Sequence, residues 1–322
     1  MHRIWLDCDT GVDDALALLL ALRVRGCHVA GISTVAGNCP LEQATRNTLG
    51  LLALVGSTRI GVHPGAARAL DGSVGDARHV HGSDGLGGMA HLLPEVRPDP
   101  RREPGHTALA RALRRQPGQI TVVATGPLTN LALLALTDPR ALDLARELVI
   151  MGGAMRAPGN VAPTVEFNFG ADPDAARLVL RGPWNPRLVG LDVTTQVRAD
   201  AALRERVAQT PRLGPLAAGA LGAYATAYSS LGAPLHDPLA MAAALDPSLL
   251  EWVQLPVDVE IRGELTRGAL VADLRVLERP ELAEGRPTAR IARGVDAPRA
   301  LTMLSEAWCA RDPAAGQHRP PT

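Results

Sequence analysis

Short apolar segments alternate with helical segments along much of this chain. Strands are predicted at Ile4–Leu6, His28–Val35, Ile120–Ala124, Glu147–Met151 and Arg187–Val193, and helices at Ala15–Leu22, Leu41–Val55, Leu128–Leu136 and Asp172–Arg181. Repeated strand–helix–strand units favour a parallel sheet covered by helices. We therefore expect an α/β fold with a mostly parallel central sheet, helices on both faces, and a ligand site at the carboxyl ends of the strands.

Chain length and loop composition favour a single domain. The 322 residues, 46% of them hydrophobic, are enough to bury a large core. The Gly- and Pro-rich stretches Gly72–Gly88 and Pro94–Pro104 are more typical of loops that shape a site than of linkers. We predict one domain over residues 1–311 and a disordered tail over residues 312–322.

The charge balance argues against nucleic-acid and membrane partners. Lys+Arg and Asp+Glu both number 33, and every one of the basic residues is Arg. Binders of nucleic acid and polybasic membrane anchors normally carry an excess of positive charge. The absence of Lys also excludes a Schiff-base lysine or a P-loop lysine.

Cysteine spacing and hydropathy predict a cytoplasmic protein. The four cysteines show no C-x-x-C spacing, so neither a zinc site nor a disulfide framework is expected. No secretory signal is evident at the start of the sequence, and the apolar run Ala15–Leu22 is too short to span a bilayer.

The strongest local signal is an acidic run between the first strand and the first helix. Asp7, Asp9, Asp13 and Asp14 fall within eight residues. One or two of these acids could simply cap the helix or offset its dipole. Four of them repel one another unless a cation neutralises them, and carboxylates without Cys or His favour Ca²⁺ or Mg²⁺ over zinc. We therefore predict a site for a hard cation.

A second signal is His236-Asp237-Pro238, which precedes an apolar helix expected to begin near Leu239. Taken alone, the segment reads as an N-cap followed by Pro at the first helical position. The functional interpretation makes Asp237 a further cation ligand and His236 an acid that titrates near neutrality.

A third signal is Asn160 followed by Glu166-Phe167-Asn168-Phe169. In an extended segment, Glu166 and Asn168 would share one face and offer polar groups to a polyhydroxylated ligand, while the aromatic face would anchor the segment in the core. The alternative is a solvent-facing edge strand.

Three weaker signals have both structural and functional interpretations. Thr125 follows a buried strand, where its carbonyl could face a metal or merely enter a turn. The glycine-rich segment His81–Gly88 could be a mobile lid or an irregular surface loop. Tyr224 and Tyr228, four residues apart on a predicted helix, could pack together or face a planar base.

Together these segments resemble the nucleoside hydrolase family, the inosine–uridine-preferring hydrolases and their pyrimidine-specific relatives. The resemblance rests on the acidic run, Asn38, Thr125, Met151-Gly152-Gly153, Asn160, Glu166-Phe167-Asn168 and His236-Asp237-Pro238, in that order. It implies an enzyme that splits the N-glycosidic bond of ribonucleosides with water, giving ribose and a free base. It also implies a homodimer or homotetramer.

The resemblance implies a role for each matched residue. A Ca²⁺ ion would be held by Asp9, Asp14, Asp237 and the carbonyl of Thr125, and Asp9 would activate the bound water. His236 would be the leaving-group acid. The residues implied to contact substrate are Asp13, Asn38, His81, Met151, Asn160, Glu166, Asn168, Tyr224 and Tyr228.

Two other functions remain open at this point. A haloacid-dehalogenase-type phosphatase shares the start of the pattern Asp7-Cys8-Asp9-Thr10, but it typically needs a Lys to hold the phosphoryl group. A nucleoside-binding protein without activity would keep the pocket and lose the base or a metal ligand. The preferred nucleobase is also open, although His236 argues against the purine-specific branch, which relies on aromatic stacking.

Overall fold

The computed structural model describes residues 1–99, 101–228 and 232–310. The predicted disordered tail, residues 312–322, lies outside the described residues. Within the described ranges, no helix has both the length and the apolar character needed to cross a membrane.

A nine-stranded sheet runs through the described residues. Its strands are β1 (His2–Cys8), β2 (Cys27–Thr34), β3 (Val62–Pro64), β4 (Ile120–Ala124), β5 (Glu147–Met151), β6 (Arg187–Val189), β9 (Leu250–Val259), β10 (Leu270–Ala272) and β11 (Thr288–Val295), and β7 (Arg198–Ala199) pairs separately with β8 (Ala233–Pro234). Across the sheet the strands lie in the order β10-β9-β11-β6-β5-β4-β1-β2-β3. The first six strands and β11 pair in parallel, and β9 and β10 are antiparallel to their neighbours. The predicted mostly parallel sheet is confirmed.

Helices follow most of the parallel strands. They are α1 (Val12–Arg23), α2 (Leu41–Leu54), α3 (Arg78–His81), α4 (Gly105–Arg115), α5 (Thr129–Thr137), α6 (Phe167–Ala171), α7 (Pro173–Leu180), α8 (Leu191–Thr194), α9 (Ala201–Ala208), α10 (Gly214–Tyr228), α11 (His236–Leu245) and α12 (Ala297–Cys309).

The sheet separates two hydrophobic cores, because successive side chains of a strand point to opposite faces. On β1, Ile4 and Leu6 pack in one core with α1, α10, α11 and α12, whereas Trp5 packs in the other with α4, α5 and α7. On β5, Val149 belongs to the first core and Ile150 to the second. Burial on both sides explains why the central residues of these strands, Ile4–Leu6 in β1 and Leu148–Met151 in β5, are apolar and lack the polar–apolar alternation of a half-exposed strand.

Two predicted element boundaries are wrong for tertiary reasons. The strand predicted at Arg187–Val193 ends at Val189, and the chain then turns into α8. Asp192 in α8 accepts hydrogen bonds from the backbone N–H groups of Met155 and Arg156, which holds α8 against the segment after β5. Helix α11 begins at His236 rather than near Leu239, so Asp237 lies in its first turn instead of capping it.

Candidate active site

The acidic run forms the tight connection between β1 and α1. Asp9 follows β1, and Asp13 and Asp14 occupy the first turn of α1. The Gly11 N–H donates to Asp14 Oδ2 over 2.9 Å, which closes the connection. Glycine is required at position 11 because a Cβ there would lie 2.5 Å from His81 Nδ1.

Asp7 stands apart from the other acids of the run. Its Oδ1 accepts hydrogen bonds from the hydroxyl of Ser33 and, over 2.8 Å, from Asn130 Nδ2. Burial raises the pKa of Asp7 to about 6, and these two hydrogen bonds oppose the rise. Asp7 is thus held by partners of its own, and the run contributes its other three acids to the site.

Asp237, at the start of α11, brings a fourth carboxylate to this place. One oxygen from each of Asp13, Asp14 and Asp237 lies within 4.8 Å of the other two. Burial, followed by repulsion from neighbouring carboxylates, raises the pKa of Asp13 to about 7 and that of Asp237 well above its usual range. Buried like charges of this kind are stable only when they are protonated or neutralised.

Asp9 lies beside this group of three. Its Oδ2 accepts the N–H of Asn38 over 2.7 Å, and its Oδ1 has no hydrogen-bond partner among the residues that the structure describes. Burial is the main cause that raises the pKa of Asp9 well above its usual range, and the charge of Asp14 is the next. Asp9 is therefore coupled electrostatically to the group, while its place in a ligand set stays a prediction.

The donor atoms fit a hard divalent cation. Asp9 Oδ1 and Asp13 Oδ1 are both buried and lack a partner within the described ranges. The Thr125 hydroxyl donates to Asp14 Oδ1 over 2.7 Å, which places the end of β4 against the group. Unpaired carboxylate oxygens with a carbonyl nearby are the ligands that Ca²⁺ and Mg²⁺ prefer.

Asn168 links the ends of β4 and β5. Its Nδ2 donates to the carbonyl of Thr125 over 2.8 Å and to that of Met151 over 3.1 Å. A carbonyl oxygen has two lone pairs, so the Thr125 carbonyl keeps one for a second partner. Met151, the last residue of β5, also lines the pocket.

Glu166 caps a helix, so the predicted extended segment is wrong. Its Oε1 accepts the Asn168 N–H over 2.9 Å, and its Oε2 accepts the Gly153 N–H over 3.0 Å. The bond from Asn168 and a further one from the Phe169 N–H to Oε2, over 3.3 Å, satisfy two free N–H groups at the start of α6 and turn the chain into a helix at Phe167. Glu166 and Asn168 face the pocket as predicted, but Phe167 lines it too, and only Phe169 is fully buried.

Four rings, His81, Tyr224, Tyr228 and His236, form an aromatic row along the pocket. Successive ring centroids are 5.3, 4.9 and 5.8 Å apart in that order. The Tyr224 hydroxyl donates to Asp13 Oδ2 over 3.1 Å, which connects the row to the carboxylates. The two tyrosines therefore pack together and both line the pocket, while their contact with a planar base stays a prediction.

Burial lowers the pKa of both histidine rings of the row to about 3, so both rings are neutral near pH 7. The prediction that His236 titrates near neutrality is therefore wrong, because the ring is fully buried. His81 Nδ1 accepts the Val12 N–H over 3.1 Å. His236 Nδ1 lies 2.7 Å from the hydroxyl oxygen of Thr194, and its Nε2 is buried without a partner in the described part of the chain.

The pocket gathers nearly every site residue predicted from the sequence. It is lined by Asp13, Asn38, His81, Thr125, Met151, Asn160, Glu166, Asn168, Tyr224, Tyr228, His236 and Asp237. Asp9 and Asp14 do not line it; they are fully buried beside its carboxylates. Sequence reasoning missed Ala77, His79, Val80, Val161 and Phe167 on its wall. The glycine-rich loop around the first three was a usable signal, and the aromatic pattern around Phe167 pointed to the core instead.

A family model described as inosine-uridine preferring nucleoside hydrolase matches residues 4–302. The chain belongs to this family. It is 35% identical over 279 residues to the inosine-uridine preferring nucleoside hydrolase of Leishmania major, covering 85% of this chain and 88% of the relative. It is 36% identical over 310 residues to the pyrimidine-specific ribonucleoside hydrolase RihA of Citrobacter koseri, covering 94% of this chain and 96% of the relative.

A solved structure of a plant nucleoside hydrolase superposes with a TM-score of 0.89 at 32% identity, covering 96% of this chain and 99% of that chain. These matches confirm the predicted family, fold class and reaction: the protein is an enzyme that hydrolyses the N-glycosidic bond of ribonucleosides. They give no support to the phosphatase alternative. These relatives differ in the base that they prefer, one being named for inosine and uridine and the other for pyrimidines.

Proposed function

We propose that this hydrolase cleaves uridine and cytidine, or inosine and uridine together, through a metal-assisted attack of water in the pocket lined by the aromatic row. The observation that carries the proposal is the meeting of unpaired buried carboxylates with His236 at one pocket. Asp237 belongs to the carboxylate group, and His236 precedes it directly on α11. One side chain therefore faces the cation while its neighbour faces the leaving base.

The carboxylates suit the charge that develops during this reaction. Cleavage of an N-riboside builds positive charge on the sugar, and a pocket rich in carboxylates favours such a transition state. We assign the attacking water's proton to Asp9, whose Oδ1 is buried and unpaired among the described residues.

The proposed ribose contacts are Asp13, Asn38, Met151, Asn160, Glu166 and Asn168, all on the pocket wall. Several of them are already held in place before substrate arrives. Asn160 Oδ1 accepts the Phe167 N–H over 2.9 Å, and Asn38 Nδ2 donates to Asp14 Oδ2 over 3.0 Å. Preorganised groups of this kind bind a polyhydroxylated sugar without a further ordering cost.

The proposed cation is Ca²⁺, held by Asp9, Asp14, Asp237 and the carbonyl of Thr125. When bound, such a cation supplies positive charge that makes water a stronger nucleophile and orients the ribose hydroxyls. Asp13 also contributes an oxygen to the group of three carboxylates. Because Asp13 already accepts a hydrogen bond from Tyr224, we assign it to the sugar and not to the cation.

His236 is the proposed group that assists departure of the base, with His81, Tyr224 and Tyr228 as its neighbours around the base. Its Nε2 has no hydrogen-bond partner among the described residues and can donate to the leaving nitrogen of the base, which ionised carboxylates cannot do. A histidine at this place favours pyrimidines or a mixed preference over recognition by stacking alone.

Release of reducing sugar from uridine, cytidine, inosine, adenosine and 2′-deoxyuridine tests the proposal. We expect turnover of uridine, much slower cleavage of 2′-deoxyuridine, and loss of activity after exhaustive chelation with recovery on adding Ca²⁺. Equal rates for uridine and 2′-deoxyuridine would contradict the proposed role of the 2′-hydroxyl. Binding of uridine without any sugar release, in metal-loaded protein, would favour the non-catalytic nucleoside-binding alternative.

We further propose that residues 1–311 form one domain, that the enzyme is a homodimer or homotetramer, and that it is cytoplasmic. All four cysteines are free, as expected in a reducing compartment. Light scattering of the purified protein measures the oligomeric state, and cell fractionation measures the location.

A further inference from the structure

Thr194 is the hydrogen-bond partner of His236 on the side away from the pocket. It ends α8, the short helix after β6, and its side chain is fully buried. Its hydroxyl oxygen lies 2.7 Å from His236 Nδ1, although 42 residues separate the two in sequence.

The direction of this hydrogen bond follows from the partners available to each atom. Within the described part of the chain, His236 Nδ1 is the one hydrogen-bond partner of the Thr194 hydroxyl. If the hydroxyl donates, its hydrogen is satisfied and Nδ1 acts as the acceptor. If Nδ1–H donated instead, the hydroxyl hydrogen would be buried away from the pocket without an acceptor, which is unfavourable. The hydrogen on Nε2 in the first arrangement belongs to a ring that lines the pocket, where a substrate can accept it.

We propose that Thr194 is a positioning residue whose hydroxyl donates to His236 Nδ1 and thereby keeps the hydrogen of the neutral ring on Nε2, facing the leaving base. The inference rests on the proposed role of His236 and adds the residue that sets its tautomer. With the opposite tautomer, Nε2 would present a lone pair to the base and could not donate.

The surroundings of the ring also oppose its rotation. Tyr228 packs against His236 with ring centroids 5.8 Å apart and planes inclined at 58°. A flip of the imidazole would place a carbon against the Thr194 hydroxyl and would break the only hydrogen bond of the ring in the described ranges. Thr194 therefore fixes the orientation of the ring as well as its tautomer.

The test compares Thr194→Val, which keeps the shape but removes the hydroxyl, with Thr194→Ser, which keeps the hydroxyl. Thr195→Val is the matched control, because the neighbouring Thr195 hydroxyl donates to the Leu191 carbonyl over 2.8 Å. On uridine, Thr194→Val should lower kcat by about 10- to 100-fold, a range typical for loss of the outer partner that orients a functional histidine. Thr194→Ser should restore most of the rate, and Thr195→Val should behave as the wild type.

Two further readouts separate positioning from a purely structural role. On p-nitrophenyl riboside, whose leaving group needs no proton, Thr194→Val should be nearly as fast as the wild type. In a His236→Ala background, Thr194→Val should cause no additional loss on uridine, because the residue that it positions is gone. Equal losses on both substrates, or additive losses in the double variant, would overturn the inference.

Nitrogen-15 NMR of histidine-labelled wild-type protein reports the tautomer directly and depends on no variant at Thr194. The His236 signal is assigned by its absence from His236→Ala. A hydrogen on Nε2 is expected, and a hydrogen on Nδ1 would overturn the inference even if Thr194→Val fails to fold. If His236→Ala cleaves uridine at the full rate, the proposed role of His236 is wrong as well. If His236→Ala loses most of its activity on uridine while Thr194→Val loses none, only the inference about Thr194 is refuted.

Discussion

At the scale of single residues, the site depends on two glycines, Gly37 and Gly126, whose backbone lies close to the Asp9 carboxylate. A Cβ added to Gly126 would lie 2.9 Å from Asp9 Oδ1, and one added to Gly37 would overlap Asp9 Oδ2. The carboxylate is therefore enclosed between two glycines, with the Asn38 N–H as its hydrogen-bond donor. This enclosure buries the carboxylate, and burial is the main cause of the raised pKa of Asp9.

Replacement of Asp9 by Asn keeps the shape and removes the charge. We expect Asp9→Asn to lower kcat for uridine by about 10²–10⁴-fold, the usual contribution of a general base. In the presence of chelator, Asp9→Asn should be at least as stable to thermal unfolding as the wild type, because the substitution removes one of several mutually repelling buried carboxylates. Measurements of kcat and of thermal unfolding with chelator check both expectations.

Asp7→Asn provides the matched control, since Asp7 is equally buried but bonds to Ser33 and Asn130 outside the carboxylate group. It should cost far less activity than Asp9→Asn. Comparable losses in the two variants would mean that the run acts as a structural unit and that Asp9 has no separate role as the base.

At the scale of elements, the segment that carries His81 is held by one side chain of α2. Asn47 Nδ2 donates to the Thr10 carbonyl over 3.1 Å and to the Asp84 carbonyl over 2.9 Å. The Asp84 carboxylate in turn accepts backbone N–H groups from Leu86, Gly88 and Ala90. Asn47 therefore ties the loop after α3 to the acidic connection between β1 and α1.

Asn47→Ala should loosen this loop and weaken substrate binding. Loss of these two hydrogen bonds, one buried and one partly buried, corresponds to roughly 1–2 kcal/mol, so we expect KM for uridine to rise by about 5- to 30-fold with a smaller change in kcat. Faster proteolytic cleavage within residues 77–90 should accompany the change. Arg46→Ala on the same helix is the control, because Arg46 is exposed and its side chain pairs, among the residues that the structure describes, only with other side chains of α2. An unchanged KM together with unchanged proteolysis would show that the loop holds itself in place.

At the scale of the whole molecule, the carboxylate group links stability to pH and to metal. The pKa of Asp13 rises from its ordinary value of 3.8 to about 7 on folding. The folded state therefore holds a proton that the unfolded state has already released between these two values. The stability from this proton is fully present below about pH 4 and is lost as the pH rises through about 7.

In the presence of chelator, wild-type protein should accordingly lose stability relative to Asp13→Asn between pH 5 and pH 8. The comparison with the variant cancels the contribution of His81 and His236, whose lowered pKa values act in the opposite direction. Added Ca²⁺ should stabilise the wild type more at pH 8 than at pH 5, because the cation binds ionised carboxylates. Urea unfolding at both pH values measures these differences, and a wild type that gains stability relative to Asp13→Asn with rising pH would refute the coupling.

The sequence by itself determined the five central parallel strands of the sheet and the acidic connection after the first of them, but not β3 or the edge formed by β9, β10 and β11. Both depend on local patterns, since apolar strands buried on two faces and acids at a helix N-terminus are visible in a few consecutive residues. The resemblance also brought in Asn38 and gave roles to Asn160 and His236, residues whose local signals were not strong enough to stand alone.

Tertiary structure decided what depends on partners distant in sequence. Asp7 lies in the acidic run but is drawn away by Ser33 and Asn130, and nothing near Asp7 in sequence shows this. Glu166 looked extended because aromatic residues alternate around it, yet bonds to backbone N–H groups made it a helix cap. Thr194 meets His236 only because the segment after β6 and the start of α11 come together in the fold. Periodicity reports which face of an element is buried, whereas a hydrogen-bond partner is selected by the packing of the whole chain.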